Sequence, residues 1–358
     1  MTLERPNIAA MSGYAPGEQP KGGDAIKLNT NENPYPPSPE VSQALKGYDV
    51  ATLRRYPNPI ADEFRRIAAD LHGLEIDNII PTNGGDELLR LMLTTFVAEG
   101  EVVATTKPSY SLYPVLTAIQ GARLEEIELG AGWQLPSDLG AQLSALKAKV
   151  FILVNPHAPT GKLVSSATVA ELATNFDGLL VVDEAYIDFV DPSLEHDCVP
   201  LLARFDNLLI LRTLSKGYSL AGLRFGYGLA AKSLAAPMLF KTRDSYNTDA
   251  LSQRLASAAL QAQDYAQETW RRVRSSRASL AVALAELGID SVPSQSNFLL
   301  CTIPAPLQAE QVYLDLKRRG ILVRYFDQDR LRDKLRISIG SEHENDALID
   351  ALREICAS

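Results

Sequence analysis

The chain has 358 residues, 46% of them hydrophobic, and a formal net charge of −9 at pH 7. Its length suffices for a large core and two domains, while the acidic balance excludes the basic face with which proteins displace counterions from nucleic-acid phosphates. No apolar stretch approaches the roughly 18 residues of a membrane span and MTLERPNIAA lacks a signal-peptide core, so a cytoplasmic location is expected.

The first 46 residues, containing the Pro- and Asn-rich NTNENPYPPSP, are expected to pack as an irregular arm. After the apolar NIIP, the stretch TNGGDELL (82–89) places two glycines and Asp86 at the start of a helical pattern. Free N–H groups at the positive end of a helix suit a phosphate, although a tight turn with a helix cap accounts for the same residues. EVVATT (101–106), KVFILV (149–154), LLVVDE (179–184) and NLLILR (207–212) read as strands. The last three are nearly continuous in large apolar residues, as in strands covered on both faces. Helical patterns run from Asp86, from Ser111 (SLYPVLTAIQG) and from Ser166 (SATVAELATNF), the last with a serine as cap. This alternation predicts an α/β protein with a mostly parallel sheet and ligands at the carboxyl ends of its strands.

Two stretches at those ends carry chemistry. In VVDEAY (181–186), Asp183 follows a buried strand and needs a positive partner, or else it caps a helix; Tyr186 adds a hydroxyl. In RTLSKGYSLAGLRFGYG (212–228), Lys216 stands near a strand end with Thr213 and Ser215, and Arg224 follows. Desolvation and a neighbouring cation would depress such an amine into a nucleophile or base, and the guanidinium could hold a phosphate; a solvated loop lysine is the alternative. A phosphate cradle, a carboxylate for a ring nitrogen, a phenol and a Schiff-base lysine, in this order, are the parts that position pyridoxal phosphate.

From Asp249 a long helical stretch leads into short strands at SNFLLCTI (296–303), ILVRYF (321–326) and KLRISIG (334–340), with helices at AEQVYLDLKRRG and ENDALIDALREICAS, a second, smaller α+β unit. Arg324 and Arg336 lie in or beside its apolar strands, where an unpaired guanidinium is costly; substrate is their expected partner, a nearby carboxylate the alternative for Arg324. Cys198, Cys301 and Cys356, with four scattered histidines, show no metal-ligand spacing and read as free thiols.

TNGGDE, NPHAPTG, VVDEAY, TLSKGYSLAGLRFGYG and KLRISIG together resemble the fold-type I pyridoxal-phosphate aminotransferases, in particular the histidinol-phosphate aminotransferase family, from Tyr14 to about Ile355. The resemblance implies a large domain with a mostly parallel seven-stranded sheet and a smaller α+β domain. Residues 1–46 would be an arm packing with the small domain, 47–248 the large cofactor-binding domain, and 249–358 the small domain with the long interdomain helix. Lys216 would form the internal aldimine, Asp183 would pair with the pyridinium nitrogen, Asn155 and Tyr186 would hydrogen-bond the phenolic oxygen, and Tyr110 would stack on the ring. The cofactor phosphate would be held by the backbone of Gly85 and Asp86, by Thr213, Ser215 and Arg224, and by Tyr56 reaching in from the other subunit of an obligate homodimer.

For the substrate, the resemblance matches Arg336 to the arginine that takes an α-carboxylate, and Arg324 with Tyr14 to the histidinol-phosphate pattern, in which a phosphate replaces that group. Asn29 and Glu32 belong to the arm that closes over the site, and Tyr246, with Asn247, to a linker where the tyrosine lines the pocket. The implied activity is transfer of an amino group from L-histidinol phosphate to 2-oxoglutarate in histidine biosynthesis, giving imidazole acetol phosphate and L-glutamate by a ping-pong cycle. An aromatic or broad-specificity amino-acid aminotransferase, a threonine-phosphate decarboxylase and a cofactor-sensing regulator are the competing readings. The regulator would need a basic helix-turn-helix segment, which the N-terminal stretch does not resemble. His157 stands where the family usually has asparagine in N-P-N-x-P-T-G, either as a surface replacement or as a change in the chamber beside the cofactor.

Overall fold

The computed structural model describes residues 3–20 and 25–357; residues 1, 2 and 21–24 of the expected arm, and Ser358, lie outside the described residues. The arm supplies β1 (Ile26–Lys27). β2 (Ile79–Thr82), β3 (Val102–Lys107), β4 (Arg123–Glu128), β5 (Ala148–Val154), β6 (Leu179–Asp183), β7 (Leu208–Thr213) and β8 (Gly226–Ala230) form a seven-stranded sheet in the order β2-β8-β7-β6-β5-β3-β4. β3 to β7 are mutually parallel where they pair, and β8 runs antiparallel to both of its neighbours.

Two of these strands carry no apolar run. β4, RLEEIE, is an edge strand with only Ile127 buried, so charged side chains line most of it and also discourage pairing with another chain. β8, GYGLA, is buried throughout, but its glycines erase the usual strand composition. They are there for room: a Cβ on Gly226 would lie 2.8 Å from the backbone of Gly84 and Gly85, at the start of the helix Gly84–Phe96.

Alternation along the strands divides the core. Phe151, Leu153, Leu180 and Val182 point to one face, where they join Phe64, Phe225 and Tyr227; Val150, Ile152, Val154 and Val181 point to the other. The second core continues without a break into the smaller sheet, β12 (Arg324–Tyr325), β13 (Lys334–Ser338), β10 (Phe298–Thr302) and β9 (Asp290–Ser291), through Phe298, Leu299, Leu335 and Ile337. β11 (Ile321–Leu322) pairs instead with β1, in parallel, so the arm is stitched to this unit by backbone. The long helical stretch after Asp249 is two helices, Ala250–Gln261 and Gln263–Glu286, broken at Ala262. Among the described residues no helix is long and apolar enough to cross a membrane.

Gly226→Ala should cost about 1–3 kcal/mol, because backbone rather than a flexible side chain must give way. Urea unfolding measures this; an unchanged midpoint would mean that the helix start can move freely away from β8.

Candidate active site

The carboxyl ends of β3, β5, β6 and β7 lie on one side of the large sheet, and the loops after them, with the arm and the smaller sheet, enclose a cavity of about 240 Å³. At one end is an anion cradle. Thr213 Oγ1 donates to Ser215 Oγ (3.0 Å) and accepts from the Ser215 N–H (3.2 Å), while Arg224 donates from Nη1 to Ser215 Oγ (3.2 Å) and from Nη2 to Asp86 Oδ2 (3.3 Å). The first turn of the helix Gly84–Phe96 brings Gly85 and Asp86 to the same wall. Gly84, at φ 78°, leaves space for the guanidinium: a Cβ there would lie 2.7 Å from Arg224 Nη2. Hydroxyls, a guanidinium and the positive end of a helix make a donor set for a phosphate.

In the middle, Asp183 is 5% exposed. Its Oδ2 accepts from the Tyr113 hydroxyl at 2.7 Å and its Oδ1 from the Ala185 N–H at 3.1 Å. Among the described residues no cation meets it: both hydrogen-bond partners are neutral, and burial raises the carboxyl to about 6 in spite of them. Such a group is matched to a cationic ligand. Tyr110, half-buried, sets its ring edge-on to those of Tyr14 (6.0 Å) and Tyr113 (5.5 Å), and its hydroxyl donates to Asp86 Oδ1 at 3.5 Å.

Lys216 Nζ donates to the Thr30 carbonyl (2.8 Å) and stands 5.9 Å from the centre of the Tyr186 ring. Burial, with Arg336, Lys27 and Arg224 nearby, lowers its amine to about 8 against the pull of Glu32. The Tyr186 hydroxyl accepts from Asn31 Nδ2 at 3.0 Å. Asn31 lies in the left-handed region, φ 58°, which asparagine tolerates, and is held there through Ser338 Oγ. Glu32 binds Lys27 and Thr30 within the arm, and Asn29 Nδ2 donates to the Glu18 carbonyl. Asn247 lies apart, its Nδ2 on the Pro81 carbonyl and Glu87.

The outer wall holds the two arginines. Arg324 and Arg336 are directly opposite across β12 and β13, with Phe326 packed 5.3 and 5.5 Å from their Cζ atoms. Arg336 Nη2 donates to the Asn29 carbonyl at 3.0 Å, but its buried Nε has no partner. Among the described residues neither arginine forms an ion pair with a carboxylate, which removes the structural alternative for Arg324.

Three expected site residues lie outside the lining of this chain's own cavity, as Tyr56, expected to serve the other subunit, should. Asn155 is buried beside the cavity, its amide donating one N–H to the Val164 carbonyl (2.9 Å) and accepting from the Val164 N–H (2.7 Å), which leaves its second N–H to donate elsewhere. Tyr56 and Tyr246 stack on each other, 4.4 Å apart, at the surface and outside the lining of their own chain's cavity. His157 is not at the surface. Its Nε2 donates to the Pro108 carbonyl (3.0 Å), so Nδ1 accepts from the Thr160 hydroxyl (2.8 Å), and burial lowers the ring to about 4, which keeps it neutral.

Tyr113, Asn31, Thr30 and Phe326 were not singled out from the sequence. Tyr113 had a signal, since it follows Tyr110 by three residues at a helix start, on one face of the turn. Glu184, His196 and Cys198 gather their ligating atoms within 4.8 Å despite their sequence spacing. Within this group Arg212 Nη2 sits 2.7 Å from Glu184 Oε2, and burial pushes the Cys198 thiol up.

The family described as aminotransferase class I and II matches residues 23–352. A histidinol-phosphate aminotransferase of Nostoc sp. is 42% identical over 355 residues, covering 99% of this chain and 98% of that protein. One from Citrifermentans bemidjiense is 42% identical over 356 residues, 99% of each. The crystal structure of histidinol-phosphate aminotransferase from Sinorhizobium meliloti in complex with pyridoxal-5'-phosphate superimposes with a TM-score of 0.91 at 26% identity, covering 100% of this chain and 98% of that one.

Because the Asp183 carboxyl rises from 3.8 to about 6 on folding, the ligand-free protein binds more protons folded than unfolded, and this group's ionisation destabilises it as pH climbs through that window. Asp183→Asn should remove the burden: relative to wild type the variant should gain about 1–3 kcal/mol between pH 4 and pH 7. Denaturant titrations of the ligand-free proteins at those pH values check it; a pH-independent difference would refute the buried, cation-free carboxyl.

Proposed function

The chain belongs to the class I and II aminotransferases, and from that membership we propose that it transfers the amino group of L-histidinol phosphate to 2-oxoglutarate, with pyridoxal phosphate as cofactor. The observation that carries the substrate is the facing pair Arg324 and Arg336, two cations without carboxylate partners among the described residues, suited to a dianion. Full-length relatives at 42% identity named histidinol-phosphate aminotransferase support it.

The cofactor fits on observations of this chain: a buried carboxyl lacking a cation, a cradle of donors that a Cβ at Gly84 would invade, and an amine of depressed basicity between them. Pyridoxal phosphate, when bound, supplies an aldehyde for Lys216 and the substrate amine in turn, and an aromatic ring that accepts the electrons left by the Cα proton. Thr213, Ser215, Arg224 and the N–H groups of Gly85 and Asp86 would hold the phosphate. Asp183 would stay ionised opposite the protonated ring nitrogen, oriented by Tyr113 and Ala185. Tyr110 would cover one ring face, and the Tyr186 hydroxyl, fixed by Asn31, would meet the phenolic oxygen.

Lys216 Nζ is then the acid and base. With its amine near 8, roughly a tenth is neutral at pH 7, enough to take the Cα proton, and the charged form returns one. Arg336, steadied by the Asn29 carbonyl, and Arg324 with Tyr14 would hold the phosphate that stands in place of an α-carboxylate; in the second half-reaction Arg336 would take the α-carboxylate of glutamate.

The division into an arm (1–46), a large unit (47–248) and a small unit (249–358) belongs to this reading and is supported by the two sheets and by β1 pairing with β11. So does a homodimer in which Tyr56 reaches the neighbour's phosphate. Its support is the surface stack with Tyr246 and the exposed Val50, Leu53 and Phe240 in the segments flanking that stack. A cytoplasmic biosynthetic role completes the proposal.

Lys216→Ala should abolish turnover while leaving noncovalent cofactor binding, seen as loss of the visible absorbance band of the linked form. Arg324→Ala should weaken histidinol phosphate by about 2 kcal/mol, roughly 30-fold in kcat/KM, and glutamate much less. Equal losses would overturn the two-arginine assignment, and faster wild-type rates with phenylalanine or threonine phosphate would move the substrate to the competing enzymes.

A further inference from the structure

The loop between β12 and β13 forms part of the cavity wall through Phe326, Gln328 and Leu331, yet it is fastened by a residue outside the lining. Arg330 carries its guanidinium to the turn that follows β4. There Nη1 donates to the Leu129 carbonyl at 2.6 Å, Nη2 donates to the Gly130 carbonyl at 2.7 Å, and Cζ lies 4.2 Å from the centre of the Trp133 ring. Among the described residues Arg330 forms no ion pair, so all of its charge is used on two neutral oxygens and an aromatic face.

Both ends of this contact are built to hold it. The Trp133 N–H donates to the Gly130 carbonyl (2.9 Å), the Gly130 N–H to the Gln134 carbonyl (2.9 Å), and Lys162 Nζ to the Gly132 carbonyl (2.6 Å), closing the turn on itself and tying it to the loop after β5. On the other side, the Leu331 N–H donates to the Gln328 carbonyl (3.1 Å), and Leu331 is fully buried. Trp133 (φ 66°) and Arg330 (φ 63°) both occupy the left-handed region, which bulky residues adopt only where their surroundings compel it.

What the clasp holds in place is the wall beside the arginine pair. Phe326, at the start of the loop, packs against both Arg324 and Arg336, and Gln328 follows it into the lining. The geometry points to Arg330 and Trp133 as a clasp that positions Arg324, Phe326 and Gln328 for the substrate phosphate: a determinant of binding, remote from proton transfer. This rests on Arg324 being the phosphate site of the proposed reaction. Loosening the clasp leaves Lys216 and Asp183 untouched, since neither contacts the loop through any hydrogen bond.

The test is steady-state kinetics of the holoenzyme with histidinol phosphate and with glutamate as donor, for Arg330→Ala, Arg330→Lys, Trp133→Leu and Trp133→Phe. Arg330→Ala should raise KM for histidinol phosphate about tenfold and for glutamate about threefold, with kcat within about twofold, and Arg330→Lys should recover part of the loss. Trp133→Phe should behave near wild type and Trp133→Leu like Arg330→Ala. The emission of Trp133, isolated as the difference from Trp133→Phe, should shift in Arg330→Ala. A shifted emission with both KM values unchanged overturns the clasp, as does a fall in kcat alone. If Arg330→Ala does not fold, Arg330→Lys carries the same test, with an expected rise of about threefold for histidinol phosphate. A wild-type enzyme inactive with histidinol phosphate would sink the substrate assignment alone; the clasp would then stand or fall on KM for glutamate.

Discussion

A carboxylate at the end of a buried strand, given a hydroxyl and an amide but no cation, is under a constraint that the rest of the site answers. Removing such a charge from water costs several kcal/mol unless an opposite charge meets it, and Tyr113 and Ala185 only orient Asp183. Its position is set by the sheet, since Asp183 is in register with Val154 of β5 and Leu211 of β7, and those strands lead into the loops that make the remaining walls. A ligand that brings the missing cation gains from a group already desolvated and aimed. Lys216 carries the complementary burden, an amine whose burial favours the neutral form. Two groups strained in opposite senses within one cavity mark it as a place for proton chemistry.

The large sheet was legible wherever strands were covered on both faces, because burial there writes itself as an apolar run: β5, β6 and β7 fell where their composition put them. It failed at β4, whose edge position fills the strand with charge, and at β8, where close approach to Gly84 and Gly85 replaces large residues by glycine. In both cases the tertiary neighbour, not local propensity, chose the residues.

The site divides in the same way. Lys216, Asp183, Arg224, Tyr186 and the two arginines announce themselves, since charged or polar groups at the ends of apolar strands need partners. Tyr113 and Asn31 only orient other side chains, and nothing in their local sequence separates an orienting residue from a packed one. Asn155 carries a structural task as well: its side chain spans Val164 and braces the loop that follows β5. His157 does comparable work, joining the Pro108 and Thr160 loops as a neutral ring, so a substitution that looks chemical in the sequence is mechanical in the structure.

The arm reaches the chemistry by a short route. β1 is only two residues long, and within four residues of it the carbonyl of Asn29 meets Arg336, that of Thr30 meets Lys216, and the side chain of Asn31 meets Tyr186. Slipping this ladder by one position would carry Asn29, Thr30 and Asn31 with it and break all three contacts at once. The basicity of the Lys216 amine is therefore tied to the seating of a two-residue splice more than 180 positions away in the chain, because Lys27 within the splice lowers it and Glu32 just beyond raises it.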